Sequence, residues 1–326
     1  STWAPVVESD TQLISEVNIV LDDQAQPYVA YGIADADGRI YYNYQGESGW
    51  LADSILISDD TNTAYRPELA WSNGRAHIVW ETQKESSQQD TKNGDVRYRY
   101  CEGSTCSSIQ TLAEDQNTYP IPTVAAQGNR VIVAWNMCPG YDIDPTPPCE
   151  QMSLLYRRSE TNGNNFMVAK EVGTDNALSE LQHSYYSTDA GVLDPPTFLR
   201  PSLIINEQGL PYAAWQSAPS SDNSSRIITT TFATTAEATS FTWEYEPAWF
   251  SGSGEDLRVA PLVLSSTEGT DTKPAALHMI YSRRDIEAQL YEVYYEYMEV
   301  EAGAPPADLC GEDGCFTYLP LLLRTG

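Results

Sequence analysis

The chain has 326 residues, with 46 acidic against 18 basic side chains and a formal charge of −28. With only four lysines, Lys84, Lys92, Lys170 and Lys273, it lacks the basic face that releases counterions from nucleic acid, and an anionic membrane surface would repel it. Hydrophobic residues at 41% and aromatic residues at 11% suffice for a core, and no run reaches the ~18 apolar residues of a membrane span.

The chain begins at Ser1 without methionine or an apolar leader, which reads as a mature secreted protein whose signal peptide has been removed. Residues 3–8, WAPVVE, form an apolar strand that no later pattern absorbs. A hairpin pattern then recurs along the sequence. Its first copy runs from Val17 through Gln26 to Tyr31 and lacks a proline. The copies over residues 66–81, 121–136 and 200–216 each have a proline, a β-rich run, a polar turn with glycine, a second β-rich run, and a tryptophan followed by a polar residue. Proline to tryptophan is 13, 13 and 14 residues. A last copy runs from Pro261 through Lys273 to Tyr281. A further alternating strand follows each copy, at residues 39–44, 95–100, 153–158, 226–232 and 290–297, and a looser fourth strand follows most of them.

Self-similarity at this scale, with four short antiparallel strands per unit, is the signature of propeller blades. The expectation is an all-β protein: a single β-propeller of five four-stranded blades, anchored by Tyr31, Trp80, Trp135, Trp215 and Tyr281, with its ring closed by a terminal strand. A six-bladed alternative would place a degenerate blade in residues 173–198. Residues 1–14 are then an N-terminal closing or exchanged strand, 15–300 the blades, and 301–326 a disulfide loop and C-terminal strand. A sandwich, the competing architecture, gives no reason for one hairpin to repeat at this spacing. Asp35 and Asp37 resemble the start of a calcium loop without its later ligands, and Asp37-Gly38 reads better as a hairpin turn. His77 and His278 share a strand position with Tyr28, Ile132 and Tyr212, which indicates packing.

Six cysteines form three close pairs, Cys101 with Cys106, Cys138 with Cys149, and Cys310 with Cys315. Fifteen pairings are formally open, and locality favours these three as disulfides formed in an oxidising compartment. No paired C-x2-C or histidine cluster suggests a metal. No P-loop, G-x-S-x-G or cofactor motif occurs.

The proline, glycine turn, apolar run, tryptophan and following G-x-h-x-Y strand resemble the sialidase-like, bacterial-neuraminidase-repeat group of β-propellers. Ser159, Gly163 and Phe166 stand where that family's Asp-box has its serine, glycine and aromatic residue, with Thr161 in place of the aspartate. Tyr65-Arg66-Pro67 half echoes the family's early F/Y-R-I-P motif. The resemblance implies a glycosidase that grips a substrate carboxylate with arginines and uses a tyrosine nucleophile, a glutamate and an aspartate. Beyond Arg66 this set has no match in the sequence, so no catalytic residue is assigned. The ending Tyr318–Arg324, YLPLLLR, resembles that of secreted proteins from Chloroflexota-type bacteria.

In a propeller, residues before each patterned proline and residues after each tryptophan converge on one mouth of the channel. These are Arg66, Arg200 and Arg258 on the proline side, and Glu81, Asn136 and Gln216 with Ser282 on the tryptophan side. The same mouth carries the long loops 82–93, 137–151 and 217–225. Two roles stay open. The arginines either pair with nearby carboxylates and satisfy buried polar groups, or they take an anionic ligand such as a carboxylated sugar. Hydrolysis would need two carboxyls flanking the bond, for which Glu81 with Asp142 or Asp144 are the candidates. The sequence therefore leads to a secreted, non-enzymatic extracellular or cell-surface propeller that binds or assembles with copies of itself through a terminal strand. The alternative is a glycan-binding lectin or sialidase-like glycoside hydrolase. No cofactor, nucleic acid or membrane span is expected.

Overall fold

The computed structural model describes residues 14–33, 38–46, 49–59, 63–83, 94–114, 120–137, 153–171, 201–206, 209–217, 225–236, 241–253, 263–267, 275–285 and 290–300. Every regular element among them is a strand. Residues 173–198 of the six-bladed alternative, the turn residues Asp35 and Asp37, and the terminal segments 1–13 and 301–326 lie outside the described residues.

The strands form five antiparallel sheets in chain order. The first holds β1 (Ile14–Leu21), β2 (Pro27–Ile33), β3 (Arg39–Gly46), β4 (Gly49–Trp50) and β5 (Ile55–Leu56). The second holds β6 (Thr63–Ser72), β7 (Arg75–Gln83), β8 (Gly94–Glu102), β9 (Thr105–Cys106) and β10 (Gln110–Ala113). The third is β11 (Thr123–Gln127), β12 (Arg130–Met137), β13 (Ser153–Ser159) and β14 (Lys170–Glu171). The fourth is β15 (Ser202–Ile205), β16 (Pro211–Ser217), β17 (Ser225–Ala236) and β18 (Phe241–Ser253). The fifth is β19 (Val263–Thr267), β20 (Ala275–Asp285) and β21 (Leu290–Val300). Each repeat is thus one sheet, and each anchor aromatic lies on its second strand: Tyr31 on β2, Trp80 on β7, Trp135 on β12, Trp215 on β16 and Tyr281 on β20.

The chain divides into two compact units, residues 1–138 with 154–170, and residues 139–153 with 171–326. In the first unit, successive sheets stack face to face. Side chains alternate across a strand, so β7, buried along nearly its whole length, serves two neighbours. Ala76, Ile78 and Trp80 pack with Tyr28, Ala30, Ile40 and Tyr42 of the first sheet. Val79 joins Val96 and Tyr98 in packing against Val124, Val131, Val133 and Trp135 of the third. A strand buried on both faces reads as a near-continuous apolar run, which is what Ile78-Val79-Trp80 supplies.

A tight turn at residues 159–166 fastens the third sheet to the second. Ser159 Oγ accepts the backbone N–H groups of Thr161 and Gly163 at 3.2 and 3.1 Å. Arg75 Nη1 donates to the Asn162 carbonyl at 2.7 Å, and Gln110 Nε2 donates to the Gly163 carbonyl at 2.9 Å. Phe166 meets the Tyr98 ring edge-on at 4.8 Å between centroids. Gly163 has φ +80, and a Cβ there would lie 1.8 Å from the Tyr98 hydroxyl, so both backbone and space demand glycine.

The expectation of a single propeller with a closed ring is overturned. The five sheets are open meanders, none closes into a ring among the described residues, and the chain falls into two units. Among the described residues their strand numbers also depart from a uniform four, with five in each of the first two sheets and three in the last. The physical reason shows on the first sheet. Trp80 and Trp135 each pack on the sheet before their own, and the corresponding face of the first sheet carries Val29, Tyr31 and Ile33. On that face the β1 side chains of Val17, Ile19 and Leu21 stay 61%, 60% and 58% exposed. Hairpin repeats specify each sheet locally, whereas closure requires a long-range partner for this face.

Candidate functional site

The site grows from the end of β7. β6 carries a bulge between Tyr65 and Glu68, and bulges re-aim side chains. Arg66, within it, has φ +53. Its Nη1 donates to Glu81 Oε1 at 2.5 Å, and its Nε lies 3.8 Å from Glu16 Oε1 on β1. Arg66 keeps 19% of its side chain exposed while Glu81 keeps none. Glu81 Oε2 accepts the backbone N–H of Ile121 at 3.1 Å. Ile121 also has positive φ, +37, and like Arg66 it immediately precedes a proline. The Asn136 backbone N–H donates to the carbonyl of the neighbouring Pro120 at 2.8 Å, and Asn136 is buried.

One carboxylate therefore ties two adjacent sheets together, through Arg66 on the first strand of one and Ile121 just before the first strand of the other. Left-handed backbone at a non-glycine residue costs on the order of 1–3 kcal/mol and persists only where its surroundings hold it. Here the Glu81 carboxylate contacts both such residues. Burial raises the Glu81 carboxyl above its ordinary value of 4.5, opposed by the Arg66 charge and the Ile121 N–H. A carboxyl kept out of water beside a partly exposed guanidinium can act as a counter-ion or hold a proton.

Of the expected mouth residues, Arg66, Glu81 and Asn136 come together here, at the junction of the second and third sheets. Gln216 lies on β16 in the second unit, and Arg200, Arg258, Asp142 and Asp144 lie outside the described residues. Glu16, which completes the ionic cluster from β1, escapes sequence reasoning because its copy of the repeat has no proline to mark the position. Ile121 escapes it because its contribution is a backbone N–H. Asp95, fully buried and held by Arg97 at 2.7 Å, forms a second ion pair on β8.

His77 is neutral packing material. Its Nδ1 lies 2.7 Å from the Tyr98 hydroxyl and its Nε2 3.1 Å from Ser72 Oγ, and burial pushes its value down to about 3. Ser72 Oγ donates to the Gly128 carbonyl at 3.1 Å, so Ser72 accepts from Nε2–H and Tyr98 donates to Nδ1. Cys101 and Cys106 form a disulfide between paired positions of β8 and β9. The other four cysteines lie outside the described residues. No helix among the described residues is long and apolar enough to cross a membrane.

No protein family and no curated protein matches the sequence. Among solved structures, a Dyadobacter fermentans protein of unknown function is similar at 11% identity and TM-score 0.52, over 90% of this chain and 84% of that one. The intramolecular trans-sialidase from Ruminococcus gnavus is similar at 10% identity and TM-score 0.50, over 89% and 85% of the two chains. Trypanosoma rangeli sialidase aligns at 12% identity and TM-score 0.45, over 79% of this chain and 40% of that one. The chain thus has a distant structural relationship to sialidase-type β-propeller folds, a likeness of fold.

Proposed function

We propose that this is an exported carbohydrate-binding protein that recognises a sugar bearing a carboxylate, with Arg66 as the point of charge recognition. The observation that carries this reading is the partly exposed Arg66 guanidinium, held on a bulge against a fully buried Glu81. Arginine presents a planar fork of donors matched to a carboxylate, and here the acid that anchors it, Glu81, is shielded from solvent. The likeness of fold to a trans-sialidase supports carbohydrate chemistry. The Cys101–Cys106 disulfide suits an oxidising compartment.

Binding is favoured over turnover. Among the described residues the one candidate carboxyl, Glu81, is fully buried and already engaged by Arg66 and Ile121. Calorimetric titration with sialyllactose and its neutral counterpart lactose tests the reading. The acidic sugar is expected to bind at least tenfold more tightly, and Arg66→Ala to remove that preference. Equal affinity for both sugars, or no binding of either, contradicts it. Release of the aglycone from aryl sialosides would show that the protein is a hydrolase.

One observation favours a second reading, assembly through strand addition. Among the described residues β1 is a sheet edge with Ile14, Val17, Ile19 and Leu21 exposed, and exposed apolar edges invite pairing. Sedimentation velocity with and without residues 3–8 tests it. An unchanged monomer in both chains contradicts assembly.

A further inference from the structure

We propose that Glu81 is an internal counter-ion that competes with ligand for Arg66, so that an anionic sugar binding at Arg66 is accompanied by uptake of one proton on Glu81. This inference rests on the binding role proposed for Arg66 and concerns how that binding is regulated.

The argument starts from the geometry. Arg66 Nη1 sits 2.5 Å from Glu81 Oε1. A carboxylate that takes a fork of the guanidinium from the solvent side must weaken that contact. Glu81 has no exposed side-chain surface, so it cannot exchange its lost cation for water, and an ionised carboxylate left unpaired in such a place is strongly penalised. Its other oxygen remains fixed by the Ile121 N–H at 3.1 Å, which holds the carboxyl in place. The remaining outlet is protonation of Oε1 from solvent.

The neighbouring charges leave no substitute cation among the described residues. Glu16 on β1 is the other acid near Arg66, at 3.8 Å, with 28% of its side chain exposed and its Oε2 buried. Glu68, further along β6, accepts from Asn18 Nδ2 at 2.6 Å. Tyr65 is the β6 residue paired with Glu81. On β8, Arg97 is taken by Asp95. Gln83 on β7 offers only a neutral hydrogen bond, and Ile121, preceding β11, offers only its amide. Burial already holds Glu81 above its ordinary value with Arg66 in place, so weakening the Arg66 contact raises it further. Linkage is reciprocal: if ligand favours the protonated form, protons favour ligand by the same factor.

The test is calorimetry on the full chain with sialyllactose, at one pH in phosphate and in Tris, whose ionisation enthalpies differ, repeated across pH 6 to 8. The expected result is a difference in apparent heat that reports uptake approaching one proton per bound sugar. Affinity should rise by up to about tenfold per pH unit as pH falls. Glu81→Gln should bind without the buffer difference and with a flat pH profile. The wild-type buffer pair stands alone if that variant fails to fold. Binding with identical heats in both buffers overturns the counter-ion role and leaves Arg66 as a binding residue. Uptake that persists in Glu81→Gln also overturns it. No binding at any pH overturns both this inference and the function on which it rests.

Discussion

At the scale of single residues, alternate positions of β7 put two titratable groups into the same inter-sheet layer with opposite consequences. His77 is depressed to about 3, so between about 6.5 and 3 the folded chain binds fewer protons than the unfolded one. Its contribution is complete above about pH 6.5 and lost as pH falls, by roughly 1.4 kcal/mol per unit at most. Urea unfolding at stepped pH should show that slope, and His77→Asn should lack it while losing stability at neutral pH. Glu81 is raised, so its ionisation costs stability as pH rises from about 4.5 through the raised value, and acidification relieves that cost. Gly163→Ala should destabilise the first unit by about 2 kcal/mol or more, because φ +80 and the Tyr98 hydroxyl both exclude a Cβ. A midpoint unchanged from wild type would mean that the 159–166 turn does not bear on Tyr98. The sequence marks Ser159, Gly163 and Phe166 as a turn. The Tyr98 contact is illegible there, since it joins positions 65 residues apart along the chain.

At the scale of strands, the hairpin pattern was highly informative. An anchoring tryptophan or tyrosine located the second strand of every sheet, and a strand packed on both faces, as β7 is, must end its apolar run where it meets solvent or a salt bridge. Glu81, following Trp80, is such an end, and its position was readable while its fully buried state was not. That state depends on Ile121, an amide donor without a side-chain signature. The disulfide between β8 and β9 spans five residues. Its removal in a Cys101→Ala, Cys106→Ala double variant should cost about 2 kcal/mol in the chain-entropy account and leave the sheet intact by circular dichroism. β1 gives a further test. Ile19→Lys places a charge on its exposed apolar face, so it should abolish any self-association seen in sedimentation while leaving the unfolding midpoint nearly unchanged.

At the scale of the whole molecule, the repeats suggested one ring, and the chain instead forms open sheets in two compact units. Repetition reports local construction. Ring closure depends on how the first sheet's outer face is covered, and β1 leaves that face's Val17, Ile19 and Leu21 exposed. Two units imply two cooperative transitions in scanning calorimetry, and a single transition with equal calorimetric and van't Hoff enthalpies would contradict the division. The net charge of −28 gives no long-range attraction for an anionic sugar, so its recognition must come from local contacts. The most direct test is equilibrium binding to an array of acidic and neutral glycans, with wild type and Arg66→Ala side by side. Selective binding of carboxylated glycans by wild type, lost in Arg66→Ala, is the predicted result. Binding that ignores the carboxylate, or survives Arg66→Ala unchanged, would contradict the account.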